Sequence, residues 1–474
     1  MGTREFRALE YRADDGFDEV GLRYEGGEDE GWRVLRDGRP WLELGAGYRM
    51  LEVERCGVCS TDLARRFLPF PLPQVIGHEL VARDEAGRRV VVEINASHAA
   101  RGVETACPFC AGGLERHCPE RLVLGIHDLP GGFGRFVLAP RHAVLEVPAD
   151  LPSSTAVLCE PFAAAGNVLA DVEAGDSVAV LGPRRLGLLA VAALAAARDA
   201  GLDVRVLALS RHEDLCRRAR ELGADEARRF DGDGAALPDG LADVVVDTTG
   251  SPEGLALACR LARRTVHLKS THGREACGLH RGTALVVDEG ALARCPDDDG
   301  LAEVARAAAL GAEPIVAWLS RDAVPPALAT AARVLRVEDP GEALARLEEE
   351  WEGTAARPGL PRADLAVVDD LAGADAALRP SPQHERGLVR PRGTVLLRRG
   401  RSSSSPLQRA IVERGLALRS SRCGGFAPAL ARLAAVPDLG EAFVTDELPA
   451  ARLPEAFARA RTPRSVKVVV THGT

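Results

Sequence analysis

Lysine is nearly missing from this chain. Lys269 and Lys467 are the only two in 474 residues, and arginine carries almost all of the positive charge. With alanine, glycine and proline also in excess, this usage reads as GC-rich coding, so arginine clusters carry less functional weight than usual. Positive charge is not in surplus either. The formal net charge is −9, which argues against non-specific nucleic-acid binding through a basic surface. Long apolar runs are absent: the longest, LGLLAVAALAAA at 186–197, is shorter than the ~20 residues that span a bilayer and reads as a buried helix. No basic-then-apolar stretch opens the chain, so no secretory leader is expected. Eleven cysteines, an odd number dispersed along the sequence, point to thiols and metal ligands in a reducing cytoplasm rather than to a disulfide framework. The length accommodates two or three domains.

What is present is organised around residues 56–79. Cys59 sits on a turn after an apolar run, Thr61 and Asp62 follow it, and His78 and Glu79 form a neighbouring pair. Thiolate, imidazole and carboxylate are the ligand types zinc prefers, and a catalytic zinc keeps three protein ligands and one open position. A hydroxyl such as that of Thr61 can relay a proton. A carboxylate such as that of Asp62 can orient a ligand from behind.

Cys59-Ser-Thr61-Asp62 followed by Gly77-His78-Glu79 resembles the zinc-dependent medium-chain alcohol dehydrogenase family. The resemblance implies Cys59 and His78 as catalytic zinc ligands, with Glu79 a ligand or a near neighbour, and Cys56 outside the set. The histidine that the family often carries three residues after the relay threonine is Ala64 here, so a relay through that place is missing or rerouted. Glu160, before Pro161, matches the Glu-Pro that polyol and sugar dehydrogenases of the family carry near the metal, and is the candidate fourth or alternating ligand. Cys159 lies one residue off the register of the cysteine that alcohol dehydrogenases place there.

A second cluster, Cys107, Cys110 and Cys118, has strong zinc-site spacing. In the family's structural-zinc lobe a fourth cysteine precedes the first of these by three residues, and that place is Glu104. Three arrangements follow: Glu104 as an oxygen ligand, His98 or His117 as its substitute, or a lobe without metal.

Residues 176–230 read as a βαβ unit. Between its first strand and its apolar helix lies Gly182-Pro-Arg184-Arg-Leu186-Gly187, a degenerate version of the dinucleotide-binding loop in which the middle glycine is Arg184. The helix N-terminus still offers N–H donors to an anion. The second strand ends in Ser210-Arg211, where an NAD enzyme places an acid for the ribose 2′-OH. A missing carboxylate with an available cation suits the 2′-phosphate of NADP(H). By the resemblance, Thr248, Thr249, Gly250 and the Ser270-Thr271 loop line the cofactor crevice.

The fold expected is α/β: a GroES-like β-rich catalytic domain over 1–168, completed by 443–474, and a Rossmann doubly wound parallel sheet over 169–283, completed by 401–442. An α/β insertion occupies 284–400. Part of it echoes the chain upstream, since Ala242-Asp-Val-Val-Val-Asp247 resembles Ala363-Asp-Leu-Ala-Val-Val-Asp369. It reads either as a partial Rossmann repeat without a phosphate loop or as the chance likeness of two Ala/Val/Asp-rich βα units. Residues 401–406, RSSSSP, read as a loop. The activity implied is hydride transfer between NADP(H) and an alcohol or carbonyl, on a polyol, sugar or secondary alcohol, by a cytoplasmic homo-oligomer without nucleic-acid or membrane partners. A zinc-free reductase of the same fold and a binding protein on a dehydrogenase scaffold are the alternatives.

Overall fold

The structure is a computed structural model describing residues 2–104, 107–270, 273–352, 359–380, 386–398, 405–462 and 465–473. Thr271 and most of the 401–406 segment lie outside these. The chain forms two units: residues 1–164 with 423–474, and residues 165–422.

The first unit is β-rich. A four-stranded meander runs Gly2–Tyr11, Phe17–Gly27, Gly31–Arg36 and Arg39–Leu44. A seven-stranded sheet is centred on Tyr48–Gly57, which pairs antiparallel with Glu79–Arg83, with Phe136–Pro140 and with the late strand Lys467–Thr471. Along Tyr48–Gly57, Leu51 and Val53 alternate inward, a register shift between Val53 and Arg55 brings Cys56 inward as well, and Tyr48 is buried at the strand's start; all four join a core shared with Leu80, Ala82 and Phe457. The helices Phe426–Ala434 and Leu439–Phe443 also belong to this unit, whereas the sequence reading ran the Rossmann domain to 442. The buried Thr155 hydroxyl holds them: it accepts the Gly440 N–H at 3.0 Å and donates to the Pro437 carbonyl.

The second unit is built on one eleven-stranded sheet. In chain order its strands are β1 (Asp176–Leu181), β2 (Val204–Ser210), β3 (Glu226–Arg229), β4 (Ala242–Asp247), β5 (Ala262–Leu268), β6 (Ala291–Arg294), β7 (Ile315–Trp318), β8 (Arg333–Arg336), β9 (Ala363–Val368), β10 (Val389–Leu397) and β11 (Ala417–Ser420). Their spatial order is β3-β2-β1-β4-β5-β11-β6-β10-β9-β7-β8. The first six positions reproduce the dinucleotide-binding order 3-2-1-4-5-6, with β11 as sixth strand, parallel to β5. The strands flanking the insertion therefore pair across it, and the insertion's own strands extend the same sheet. The centres of β1, β4 and β9 are runs of Val, Ala and Leu buried on both faces, as a sheet covered on two sides requires.

Two buried polar features mark the carboxyl ends of these strands. His267 Nδ1 lies 2.5 Å from Asp171, its Nε2 lies 2.8 Å from Ser421 Oγ, and Lys269 Nζ donates to the same hydroxyl at 2.9 Å. This chain of bonds ties the turn at Asn167–Asp171 to β5 and the end of β11. Asp247, closing β4, accepts from the Thr249 N–H and hydroxyl through Oδ1, while Oδ2 is buried without a hydrogen bond. Burial pushes this carboxyl up to about 6. A carboxyl raised on folding is neutral in both states below its unfolded value near 3.8 and opposes folding fully above about 6. Asp247→Asn keeps the accepting oxygen and removes that opposition. It is expected to raise the unfolding free energy at pH 8, by about 3 kcal/mol at most, and to leave it unchanged near pH 4. Denaturant titrations at the two pH values check this.

Among the described residues, no helix is long and apolar enough to cross a membrane.

Candidate metal centres and dinucleotide site

The turn after Tyr48–Gly57 delivers the first ligand. Cys59 caps the short helix Ser60–Leu63, and the Asp62 carboxylate folds back to accept the Cys59 N–H at 2.8 Å. The other Asp62 oxygen faces His78 Nδ1 at 3.3 Å, with both groups buried. His78 is delivered by Gly77, whose φ of +100° is left-handed. A Cβ there would lie 2.9 Å from Cys56 Sγ and from the Phe133 ring, so glycine is required. Glu79 then opens the next strand. Cys56 is buried and its thiol faces the Gly57 carbonyl.

Ligand atoms of Cys59, His78 and Glu79 all lie within 4.8 Å of one another. Asp62 occupies the place from which a carboxylate orients a metal-binding imidazole. One Glu79 oxygen pairs with Lys467 Nζ at 2.5 Å, both side chains being buried, and Oε1 has no hydrogen bond. Glu160, on the helix Cys159–Gly166, belongs to the same electrostatic cluster. Burial first, with Glu79 and Asp62 adding to it against His78 and Lys467, pushes its carboxyl up to about 7. Burial pushes the His78 imidazole down, but Asp62 and the Cys59 sulfur outweigh it and leave it well above its ordinary value. The pocket is thus rich in anions, with a thiol, an imidazole and carboxylates converging and a buried oxygen left unbonded. That donor set fits a zinc ion. Thr61 is half-buried on the same short helix.

The second cluster is closed by His98. Its Nδ1 lies 3.4 Å from Cys118 Sγ and 3.8 Å from Cys110 Sγ, and Cys107 Sγ is 3.8 Å from that of Cys118. Glu104 is exposed and outside this group. His98 is placed by Ser97, whose hydroxyl caps the helix His98–Arg101, and its Nε2 faces Glu120 at 3.4 Å. That is again a carboxylate behind a histidine. Burial pushes the Cys110 thiol up and that of Cys118 up to about 12, the direction a bound cation would oppose. Of the arrangements the sequence left open, the one with His98 in place of Glu104 is the one whose ligand atoms converge. His98→Ala is expected to release one zinc per chain and to lower the melting temperature, whereas Glu104→Ala leaves both unchanged. Metal analysis with thermal denaturation reads the difference.

In the second unit the loop Gly182–Arg184 joins β1 to the helix Arg185–Asp199. A Cβ at Gly187 would meet Thr248 Oγ1 at 2.6 Å, so this glycine permits the close approach of helix and β4 end that the dinucleotide fingerprint calls for. Thr248 Oγ1 donates to the Leu181 and Gly182 carbonyls, both at 2.9 Å. Arg184 is exposed at the helix start, Leu186 is half-buried in its first turn, Gly250 has left-handed φ, and Ser270 follows β5. At the tip of β2, Ser210 is buried and accepts the His212 N–H, while Arg211 is exposed.

Residues 45–149 match the alcohol dehydrogenase GroES-like domain. The probable alcohol dehydrogenase adh of Mycobacterium tuberculosis is 35% identical over 273 residues, covering 48% of this chain and 71% of that one. The chain is a medium-chain dehydrogenase/reductase of the alcohol dehydrogenase type. Sorbitol dehydrogenase of Halalkalibacterium halodurans is 28% identical over 191 residues, 37% of this dehydrogenase and 53% of its own length. The alcohol dehydrogenase of Thermotoga maritima shares the fold, with a TM-score of 0.58 at 15% identity over 98% of this chain and 99% of its own. This dehydrogenase is thus an oxidoreductase in which the GroES-like unit carries one cluster of metal-binding type beside a buried Glu–Lys pair and a second cluster of three cysteines and a histidine.

Proposed function

We propose that this oxidoreductase is zinc-dependent and moves a hydride between NADP(H) and the carbinol carbon of a polyol, sugar or secondary alcohol. The observation that carries the reading is the convergence of Cys59, His78 and Glu79 with Asp62 behind the histidine. Zinc at Cys59, His78 and a carboxylate from Glu160 or Glu79 would supply Lewis-acid polarisation of the substrate oxygen. Asp62 fixes the His78 ring through Nδ1. Lys467 donates to one Glu79 oxygen and holds that carboxylate in place. The half-buried Thr61 hydroxyl stands next to the ligand-bearing turn and passes the alcohol proton toward solvent. The carboxyl of the half-buried Glu160, pushed up to about 7 by desolvation, can take up or release a proton near neutral pH. The Glu160-Pro161 pair and the likeness to a sorbitol dehydrogenase support a polyhydroxylated substrate.

NADP(H) is supported by the tip of β2. Ser210 uses its lone pair on the His212 N–H and keeps its proton to donate. Arg211 adds an always-charged fork matched to phosphate oxygens. A charge-assisted bond is worth roughly 1.5–3 kcal/mol, or a ten- to hundred-fold preference at about 1.4 kcal/mol per decade. Ser210→Asp with Arg211→Ala is expected to reverse the preference without changing zinc content. Comparing kcat/KM for NADPH and NADH over polyols, sugars and secondary alcohols tests the proposal. Equal values with the two cofactors would remove Arg211 from the site, and loss of zinc without loss of activity would favour the zinc-free reductase.

A further inference from the structure

The eleven-stranded sheet contains one antiparallel pair among its described strands, β11 with β6. On one side lie β3-β2-β1-β4-β5-β11, all parallel, and on the other β6-β10-β9-β7-β8, also parallel to each other and opposed to the first set. Read outward from the junction, the two sides have matching plans. The first is sixth strand, fifth, fourth, first, second, third. The second follows it position by position through β6, β10, β9, β7 and β8, and lacks only the third strand.

The sequence matches where the topology does. β4, Ala242-Asp-Val-Val-Val-Asp247, corresponds to β9, Ala363-Asp-Leu-Ala-Val-Val, followed by Asp369. The helix and strand that end each half correspond as well. Ala284-Leu-Val leads through Gly290-Ala-Leu-Ala-Arg294, and Ala410-Ile-Val leads through Gly415-Leu-Ala-Leu-Arg419. These last units are exchanged. After β5 the chain runs through the helix Gly282–Val287 to place β6 beside β10. After β10 it runs through the helix Pro406–Arg414 to place β11 beside β5. Leu292 and Leu418 stand opposite each other at the junction, both fully buried, and Ser420 Oγ lies 2.9 Å from the Leu285 and Gly290 carbonyls.

Two like half-sheets meeting along an antiparallel pair of corresponding strands have the arrangement that a two-fold axis imposes on two identical subunits. We infer that residues 295–420 are a second, degenerate copy of the dinucleotide-binding half, joined in one chain and reciprocally strand-exchanged with the first, which takes the place of a partner subunit at the sheet edge and binds no dinucleotide. The edge of β11 is thereby satisfied within the chain. The second copy has lost its phosphate site by construction. Between Gly311 and Gly341 there is no glycine, so the turn after β7 has none to admit a pyrophosphate. The Asp369 carboxylate fills that turn instead, accepting from Ser320 Oγ at 2.6 Å and from the Arg321 N–H at 3.0 Å. An anion on the very donors a phosphate would use excludes the phosphate by charge as well as by space.

The test is a cross-link. Ala291 and Arg419 are directly opposite in the antiparallel pair, a separation a disulfide spans. Ala291→Cys with Arg419→Cys in the full chain, oxidised and mapped by peptide mass spectrometry, is expected to give the 291–419 bridge within a single 50.3 kDa chain. A bridge joining two chains, or no 291–419 bridge, overturns the inference. Calorimetric titration of the wild type with NADPH provides the second arm: one bound per chain is expected, and two would show that the second copy is not blank. The cross-link does not depend on the proposed cofactor, so its failure and that of the cofactor reading are told apart.

Discussion

Cys59→Ala or His78→Ala is expected to abolish turnover and to lower zinc from two ions per chain to one, leaving the cysteine lobe loaded. Each substitution removes one of the convergent donors, and in the Cys59 variant the Asp62–His78 contact survives, so the fold around the pocket persists while the metal is under-coordinated. Polarisation of a substrate oxygen by a metal is worth several kcal/mol in the transition state. A loss of about 4 kcal/mol is roughly a thousand-fold in rate. Activity assays with metal analysis on the same preparations decide it. Wild-type activity in a variant that has lost one zinc would place the chemistry elsewhere.

Lys467→Met is expected to produce the largest loss of stability of any single surface-remote change in the GroES-like unit. Lys467 and Glu79 are among its most deeply buried ions, 388 residues apart in sequence and in direct contact. Removing the cation leaves a carboxylate buried at no exposure with its other oxygen already unbonded. Breaking a buried pair in this way costs about 3–5 kcal/mol. The double variant Lys467→Met, Glu79→Gln removes both charges and is expected to recover most of that loss. Denaturant unfolding of the single and double variants measures the coupling. A Lys467→Met protein as stable as wild type would mean that another cation, the metal itself, carries the Glu79 charge.

Much of this was legible in the sequence because it is local. Cys59, Asp62, His78 and Glu79 lie within one short stretch, and their chemistry follows from residue type and turn residues alone. The βαβ rhythm of 176–230 was legible for the same reason. What escaped is non-local. Lys467 completes the pocket from the far end of the chain, and only the pairing of strands shows that one of two lysines faces one of many glutamates. His98, one of the substitutes for Glu104 that the sequence left open, joins the cysteine cluster because a serine-capped turn brings it round, and spacing alone could not choose among them. The insertion read as α/β with an echo of earlier strands. That its strands continue the same sheet, with end strands exchanged, depends on contacts more than a hundred residues apart.

The placement of Lys467 has a consequence for how the protein is made. The strand that carries it, Lys467–Thr471, pairs with Tyr48–Gly57 only after the intervening chain has left the ribosome, and β5 likewise waits for β11. At about 5–20 residues per second, the nascent GroES-like unit spends of the order of 20–80 s with an open strand edge and with Glu79 lacking its counter-ion. Ribosome-bound chains thus carry an anionic, unfinished pocket until the strand Lys467–Thr471 has emerged and paired. A chain stalled before 467 keeps every zinc-ligating side chain and lacks the cation that balances them.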